Sequence, residues 1–508
     1  MKIAFITPAT ALRRLSAYRF FGKMYGQPNS ITGPLILGGI LKKAGHEVRV
    51  YEELNGRVDF KYVYDCDVVC LYTMTSTAPR AYELADMVHR YGRGRVLIGG
   101  MHATVMPEEA AEHADQVLVG EGEKDIVDIV EGRITGKIIQ CHPTENLDEV
   151  PFPDYSVLKT PVEAANVIST RGCPFKCTFC TTSRTFAPYR KRSVDNVIEE
   201  IRMYKRMGFK YMNFEDDNFT ADKERAKEIC RRMIAEGLTF KESFFFGRTD
   251  MARDEELLDL LQKAHLTRVL IGIESLNQKA LDSVNKHQNI EDIQRAAEAC
   301  KKHGIRLIAS IVLGLDDDTI DDMNRSIQFA KDIDAYQLQP AVLTPFPGTP
   351  VYEQMVKEGR MLSDKWWKAD PFTDEKKVAK PDWSKHDLMT VTYLPKNETS
   401  WELQDEFYHA ANVFYDFKGA LRIGKIFGPE YGARRFGFAF AGKLGPFAAR
   451  LASKHLKSTY WYYLRHFAPD ADGVPADNGN DSPGDTTGEN KNASVSSCAA
   501  SDISPAHS

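Results

Sequence analysis

Three of the nine cysteines in this 508-residue chain are set apart by their spacing: Cys173, Cys177 and Cys180, in the run STRGCPFKCTFCTTS, form C-x3-C-x2-C. Thiolates so spaced can hold three irons of an iron-sulfur cubane and leave the fourth iron open, which makes that iron a site for chemistry. Zinc is the alternative. A structural zinc site closes with four ligands, commonly two C-x2-C or C/H pairs, and no second pair lies near this one. Cys66 and Cys70 flank the apolar run CDVVC, while Cys230 and Cys300 close helical stretches; these read as small buried hydrophobes. An odd number of cysteines also fits a disulfide framework poorly.

The triplet directly follows a predicted strand at 166–170, and a series of apolar runs follows it: YMNFEDD (211–217), SFFFGRTD (243–250), RVLIGIES (268–275), RLIASIVLGL (306–315) and YQLQPAVLTPF (336–346). Helical patterns such as VDNVIEEIRMYKRM and DEELLDLLQKA lie between them. Six strands alternating with helices predict a parallel barrel or part of one, with its chemistry at the carboxyl ends of the strands. Several of those ends carry polar residues: Glu215, Asp216, Asp217 and Asn218 in FEDDNFT, Arg248, and Glu274 with Ser275 in GIES. Asp216 and Asp217 could equally cap the next helix, and Asp316, Asp317 and Asp318 in GLDDDT read as a helix start.

Ahead of this unit, five apolar runs (KIAFIT, EVRVYE, VVCLYT, RVLIGG and QVLVGEGE) alternate with amphipathic stretches between Lys2 and Gly122, predicting a doubly wound parallel sheet. The strands end in small or hydroxyl residues: Thr75, Ser76 and Thr77 after the third, Gly99 and Gly100 after the fourth, Gly120, Glu121 and Gly122 after the fifth. Loops of that kind let a large planar ligand approach the backbone, although tight turns alone would also call for single glycines. Pro151 and Pro153 mark a linker between the two units.

After the barrel the alternation stops. Leu403, Phe407, Ala410, Phe414 and Phe417 recur at helical spacing behind Thr399 or Ser400 as a cap. From Lys418 to Phe467 the segment is basic and aromatic, with Glu430 its one acid, which predicts either peripheral contact with a membrane surface or a helical cap on the barrel. Residues 469–508 are too polar to bury a core and are expected to be disordered. A net charge of -5 argues against nucleic acid as a partner. The absence of a signal-peptide pattern, or of an apolar run of about 20 residues, predicts a cytoplasmic protein.

With Phe179 just before its last cysteine, the triplet resembles the motif of the radical S-adenosylmethionine (SAM) superfamily. The stretches KKAGHEVRVYE, YTMTSTAPRAYELAD, IGGMHATVMPEEA, LVGEGE and TPFPGTPVYEQ extend the resemblance, over about residues 1–360, to the branch with a cobalamin (B12)-binding domain. The resemblance implies an α/β chain: a flavodoxin-like cobalamin-binding domain (1–140), a linker (141–160), a partial (β/α)6 TIM-like radical SAM barrel (161–375), a mainly helical region (376–468) and a tail (469–508). It implies a [4Fe-4S] cluster on Cys173, Cys177 and Cys180 whose open iron chelates SAM, one electron then giving a 5'-deoxyadenosyl radical. SAM contacts are expected from Phe179, Glu215, Asp216, Arg248, Glu274 and Ser275; cobalamin contacts from Thr75, Ser76, Thr77, Gly99, Gly100, His102, Gly120, Glu121 and Gly122. No D-x-H-x-x-G occurs, so a lower-ligand histidine is missing. The expected reaction is methyl transfer to an unactivated carbon of a small molecule or lipid. Ring formation, ring contraction or carbon-carbon coupling without net methylation is the alternative, and a zinc-stabilised binding scaffold is the non-enzymatic one. An electron donor such as flavodoxin or ferredoxin is the implied partner.

Overall fold

The computed structural model describes residues 1–10, 14, 28–362, 382–437 and 439. Two six-stranded parallel sheets organise the chain. The first contains β1 (Lys2–Thr7), β2 (Glu47–Glu52), β3 (Val68–Tyr72), β4 (Arg95–Gly99), β5 (Gln116–Val119) and β6 (Ile138–Gln140), in the order β2-β1-β3-β4-β5-β6. Ile3, Phe5, Val68 and Leu97 face one apolar layer, and Ala4, Ile6, Val69 and Ile98 face the other, so the sheet is covered on both sides, as a doubly wound fold requires. Five of these strands correspond to the expected runs. The sixth is a three-residue edge strand, too short to show a period.

The second sheet holds β7 (Ala164–Val167), β10 (Tyr211–Phe214), β11 (Glu242–Gly247), β12 (Leu266–Glu274), β13 (Arg306–Leu313) and β14 (Gln337–Val342), in the order β14-β13-β12-β11-β10-β7. All five pairings are parallel, and β7 and β14 are the two edges, so the barrel stays open. Between β7 and β10, a small antiparallel pair, β8 (Thr170–Arg171) with β9 (Arg190–Lys191), brackets the cysteine loop.

Side chains donating and accepting at helix starts set the phase of the connecting helices. Ser193, Asp254 and Asn289 cap helices Val194–Arg206, Glu255–Lys263 and Ile290–Lys302 through backbone N–H groups one turn in. The helix after GLDDDT starts later than expected, at Ile320, with Thr319 and Asp322 forming a capping box. The preceding aspartates are engaged elsewhere: Asp316 pairs with Arg360 at 2.6 Å and Lys396 at 2.8 Å, and Asp318 accepts from Ser275. Thr399 caps helix Ser400–Phe414, and Leu403, Phe407, Ala410 and Phe414 of that helix pack on the core outside β12–β14. Of the basic C-terminal region, only 418–437 and 439 lie within the described residues; the rest of it and the 469–508 tail lie outside. Arg435 is buried, stacks 4.1 Å from Phe414 and donates to the carbonyl oxygens of Ala335 and Tyr336, which makes this part a cap under the barrel. Among the described residues no helix is long and apolar enough to cross a membrane.

Candidate active site

The cysteine loop leaves β8 through Gly172, whose φ is +80° and whose added Cβ would lie 2.6 Å from the Phe186 carbonyl oxygen; only glycine serves there. The loop is gripped from the turn after helix Gln278–Ser283. Thr178 N–H donates to the Val284 carbonyl at 3.1 Å, and Asn285 Nδ2 donates to the Lys176 carbonyl at 2.9 Å. Arg248, at the end of β11, stacks 3.8 Å from the Phe175 ring and donates to the Lys286 carbonyl at 2.6 Å. Burial raises the Cys177 thiol pKa, and the charges of Lys286 and Arg248 oppose that rise. Burial pushes Cys66, Cys230 and Cys300 up to about 12, and they stay inert thiols. Three thiols on one irregular loop beside two cations suit a cubane, in which each thiolate bonds its own iron and the three need not close on one point.

The FEDDNFT residues divide by the two-residue period of an extended chain. Asp216 is fully buried and turned toward the base of the cysteine loop, accepting from Ser169 N–H at 2.6 Å, Ser169 Oγ at 2.5 Å and Thr170 N–H at 2.8 Å. It is a positioning residue. Glu215 and Asp217 instead border a cavity between the two sheets. Burial pushes their carboxyl groups up to about 7 and about 6 respectively, with Thr182 opposing the shift at Asp217. Asn29 Nδ2 approaches Glu215 at 3.4 Å.

At the end of β12 the ladder shifts register between Gly272 and Glu274, and Glu274 takes a φ of +63°. Its buried carboxylate meets Lys286 Nζ at 2.5 Å. An added Cβ at Gly272 would sit 2.1 Å from Glu274 Oε1, so that glycine makes room for the pair. Lys286 was absent from the sequence-predicted site because it lies on an irregular turn with no periodic pattern. Ser275 is buried and donates to Asp318 Oδ1 at 2.8 Å while accepting from Asn277 N–H at 2.9 Å, which ties the turn together. Phe179 packs against the core outside β12–β14.

The cavity has a volume of about 500 Å³ and lies at the carboxyl ends of β1, β3, β4 and β5, facing Asn166, Gly172 and Phe246 of the barrel. Gly99, Gly100, Gly120, Glu121 and Gly122 line it, together with Tyr72, Met74 and Met101, which sequence reading did not single out. Gly100 has φ +100°, and a Cβ there would lie 2.6 Å from the Thr73 carbonyl oxygen. Thr75, Ser76 and Thr77 are not among the lining residues; they form a 3-10 turn leading into helix Ala78–Tyr91. Nor is His102. Helix Met101–Val105 presents Met101 and Thr104 to the cavity and turns His102 to the opposite side, where it is fully buried between Thr75 Oγ1 and Glu109 Oε1, both at 3.4 Å, and edge-on to Trp383. A shelf of glycine backbone under an apolar wall fits a flat macrocycle such as a corrin, and His102 faces away from that shelf.

One ion-pair cluster joins the two units beside the cavity. Glu121 meets Arg171 at 2.6 Å and also Arg190, and Arg171 meets Glu123 at 2.6 Å. Burial works against ionisation of Glu121, yet Arg190 and Arg171 hold its pKa below the usual carboxylate range.

An open parallel barrel with a three-thiol loop at its mouth, facing a doubly wound domain across a glycine-edged cavity, defines an iron-sulfur enzyme with a second, planar cofactor. Residues 167–330 match the radical SAM superfamily and residues 31–130 match the B12 binding domain. The chain is a radical SAM enzyme with an N-terminal B12-binding domain, and its cofactors are a [4Fe-4S] cluster, SAM and cobalamin. It is 29% identical over 404 residues to an uncharacterized methyltransferase of Pyrococcus horikoshii, covering 72% of this chain and 86% of the relative. It is 26% identical over 406 residues to the bacteriochlorophyllide d C-12(1)-methyltransferase of Chlorobaculum tepidum, covering 76% and 84%. Among solved structures, the radical SAM methyltransferase TsrM from Kitasatospora setae superposes with a TM-score of 0.63 at 16% identity, over 89% of this chain and 99% of that one; the likeness is one of fold.

Proposed function

We propose that the protein transfers a methyl group to an unactivated carbon of an apolar small molecule or lipid. The observation that carries this reading is a cavity into which both units open: the glycine-edged strand ends of the first sheet on one side, Gly172 ahead of the cysteine triplet and Phe246 of the barrel on the other. A substrate held there lies within reach of both cofactors, so a carbon activated from one side can be alkylated from the other. When bound, the cluster supplies the electron that splits SAM into methionine and a hydrogen-abstracting deoxyadenosyl radical, and cobalamin carries the methyl group. Cys173, Cys177 and Cys180 would hold the cluster; Arg248, Glu274 with Lys286, and Asp217 border the SAM side, while Asp216 and Ser275 keep the supporting turns in place. Ile36, Leu37, Met74, Leu118 and Ile126 make the cofactor side of the chamber apolar and limit the access of water to a reactive radical.

The experiment uses methyl-deuterated SAM, a chemical reductant such as titanium citrate, hydroxocobalamin and a bacterial lipid and pigment extract. Methyl transfer predicts 5'-deoxyadenosine and S-adenosylhomocysteine in equal amounts and a deuterium-labelled product. Deoxyadenosine with no S-adenosylhomocysteine and no label would favour ring formation or coupling instead.

Contact with an anionic membrane is the second part of the proposal. On helix Phe417–Phe427, Leu421 is 70% exposed and Phe417 lies 4.8 Å from the exposed Phe436, with Lys418 and Lys425 beside them, a pattern suited to shallow insertion. Co-sedimentation with phosphatidylglycerol vesicles should fall at least threefold in a Leu421→Glu/Phe436→Glu variant; unchanged partitioning would remove the membrane from the account.

A further inference from the structure

The inner wall of the barrel is left open to a ligand. Along β11, β12 and β13 the outward residues Phe245, Val269, Ile271 and Ile311 are at most 1% exposed, whereas the inward residues Phe244, Phe246, Leu270 and Ser310 retain accessible surface, and Gln339 on the edge strand β14 is exposed. Closed barrels of this kind fill their interior with side chains; this one does not. At its upper end this inward wall meets the inter-sheet cavity, which Phe246 and Glu215 line from the barrel side.

The floor is charged, and its charges do not balance. Glu242 at the start of β11 pairs with Arg268 at 2.9 Å and with Arg306 at 2.7 Å. Arg434 adds a third cation to the same neighbourhood, Tyr336 and Tyr431 lie against Arg306, and Glu430 reaches this group only through Tyr431. Arg268 is held from two sides, by Glu242 and by the Phe244 ring 5.3 Å from its guanidinium carbon. Its Nε is buried with no partner, as is that of Arg306, and a buried donor left unpaired is costly unless a ligand supplies the acceptor. Burial lowers the Arg268 pKa, an effect that Glu242 opposes and Arg306 adds to, so a further anion at this point would be stabilised. Glu215, the other acid that faces Arg268, has its carboxyl pushed up to about 7 and competes weakly for it near neutrality.

We propose that the barrel binds an elongated amphiphilic substrate with its apolar body along Phe244, Phe246 and Leu270 and a terminal carboxylate or phosphate received by Arg268. The inference rests on reading the shared cavity as the reaction chamber and deepens it by naming the substrate class. Arg268 and Gly272 lie on one face of β12 with their backbones roughly 13 Å apart, at about 3.3 Å per residue, so the anion is received below the cofactor rim. The reacting carbon is therefore remote from the charged terminus.

The test is calorimetric titration of the full-length, anaerobically reconstituted protein with decanoate, decyl phosphate, decanol and decylamine. The two anions should bind at least tenfold more tightly than decanol, with decylamine weakest. Arg268→Gln should erase that preference and Arg268→Lys should keep part of it. Because Arg268→Gln leaves Glu242 unpaired, the Arg268→Gln/Glu242→Gln variant serves as a second probe that removes both charges. Ser310→Phe, which fills the chamber away from the charges, should weaken all four ligands alike. Equal binding of the four by the wild type, no binding of any, or an anion preference that survives in Arg268→Gln and in Arg268→Gln/Glu242→Gln would overturn the proposal. Release of 5'-deoxyadenosine by the same wild-type preparation reports separately on the radical reading.

Discussion

At the residue scale, the carboxylate of Asp216 accepts from two backbone N–H groups and one hydroxyl at the base of the cysteine loop, so its worth lies in the shape it gives Ser169 and Thr170. Asp216→Asn turns an acceptor into a group that also donates, facing donors, and should cost about 1–3 kcal/mol. The expected outcome is a lower melting temperature together with less iron retained per chain after reconstitution. The Glu274–Lys286 pair gives a larger effect. Lys286→Met strands a buried carboxylate and should destabilise the protein by about 3–5 kcal/mol, measured by urea unfolding, and adding Glu274→Gln should restore part of that loss. Which carboxylates would face the cavity was only partly legible from the chain. The run FEDDNFT shows three acids, and the period of two separates Asp216 from Glu215 and Asp217 only once the strand's register is known. Lys286 carried no signal because the turn that presents it has none.

At the element scale, the alternation of apolar runs with helical patterns predicted both sheets, since strands buried on both faces read as continuous apolar runs. The edge strand β6 escaped because three residues cannot show a period. The glycine loops after β4 and β5 were legible as ligand edges, but the orientation of His102 was not, since it depends on how helix Met101–Val105 rotates over the sheet and on Trp383, far away in sequence. Gly100→Ala should lose cobalamin, because φ +100° and ψ -175° form a region essentially confined to glycine, with a strain of about 1–3 kcal/mol for other residues. The readout is cobalt per chain after gel filtration. The Glu121 clamp between the units makes a pH-dependent contribution. Its native pKa is held below the unfolded value, so its stabilisation is complete above the ordinary carboxylate range of about 4.3 and is lost as pH falls through the native value. Limited proteolysis of the linker between the sheets, followed from pH 7 down to pH 3.5, should accelerate on acidification in the wild type, while Glu121→Gln should begin fast and show a flatter profile.

At the scale of the whole molecule, two units that would each be an ordinary fold alone become one reaction chamber because their strand ends face each other. Gly172 at the root of the cysteine loop, the glycine-edged strand ends of the first sheet and Phe246 of the barrel all border the same space, and the Arg171 that reaches Glu121 and Glu123 of the first unit stands two residues before Cys173. Methyl transfer to a substrate in this space depends on radical chemistry starting at that loop. The decisive measurement is 5'-deoxyadenosine formed by the anaerobically reconstituted, cobalamin-loaded protein with SAM and reductant, compared with Cys177→Ala prepared in the same way. The account predicts deoxyadenosine from the wild type and none above background from the variant, with the brown cluster absorbance lost in parallel. Iron-loaded, folded wild-type protein that releases no deoxyadenosine, or a variant that releases as much as the wild type, would contradict it.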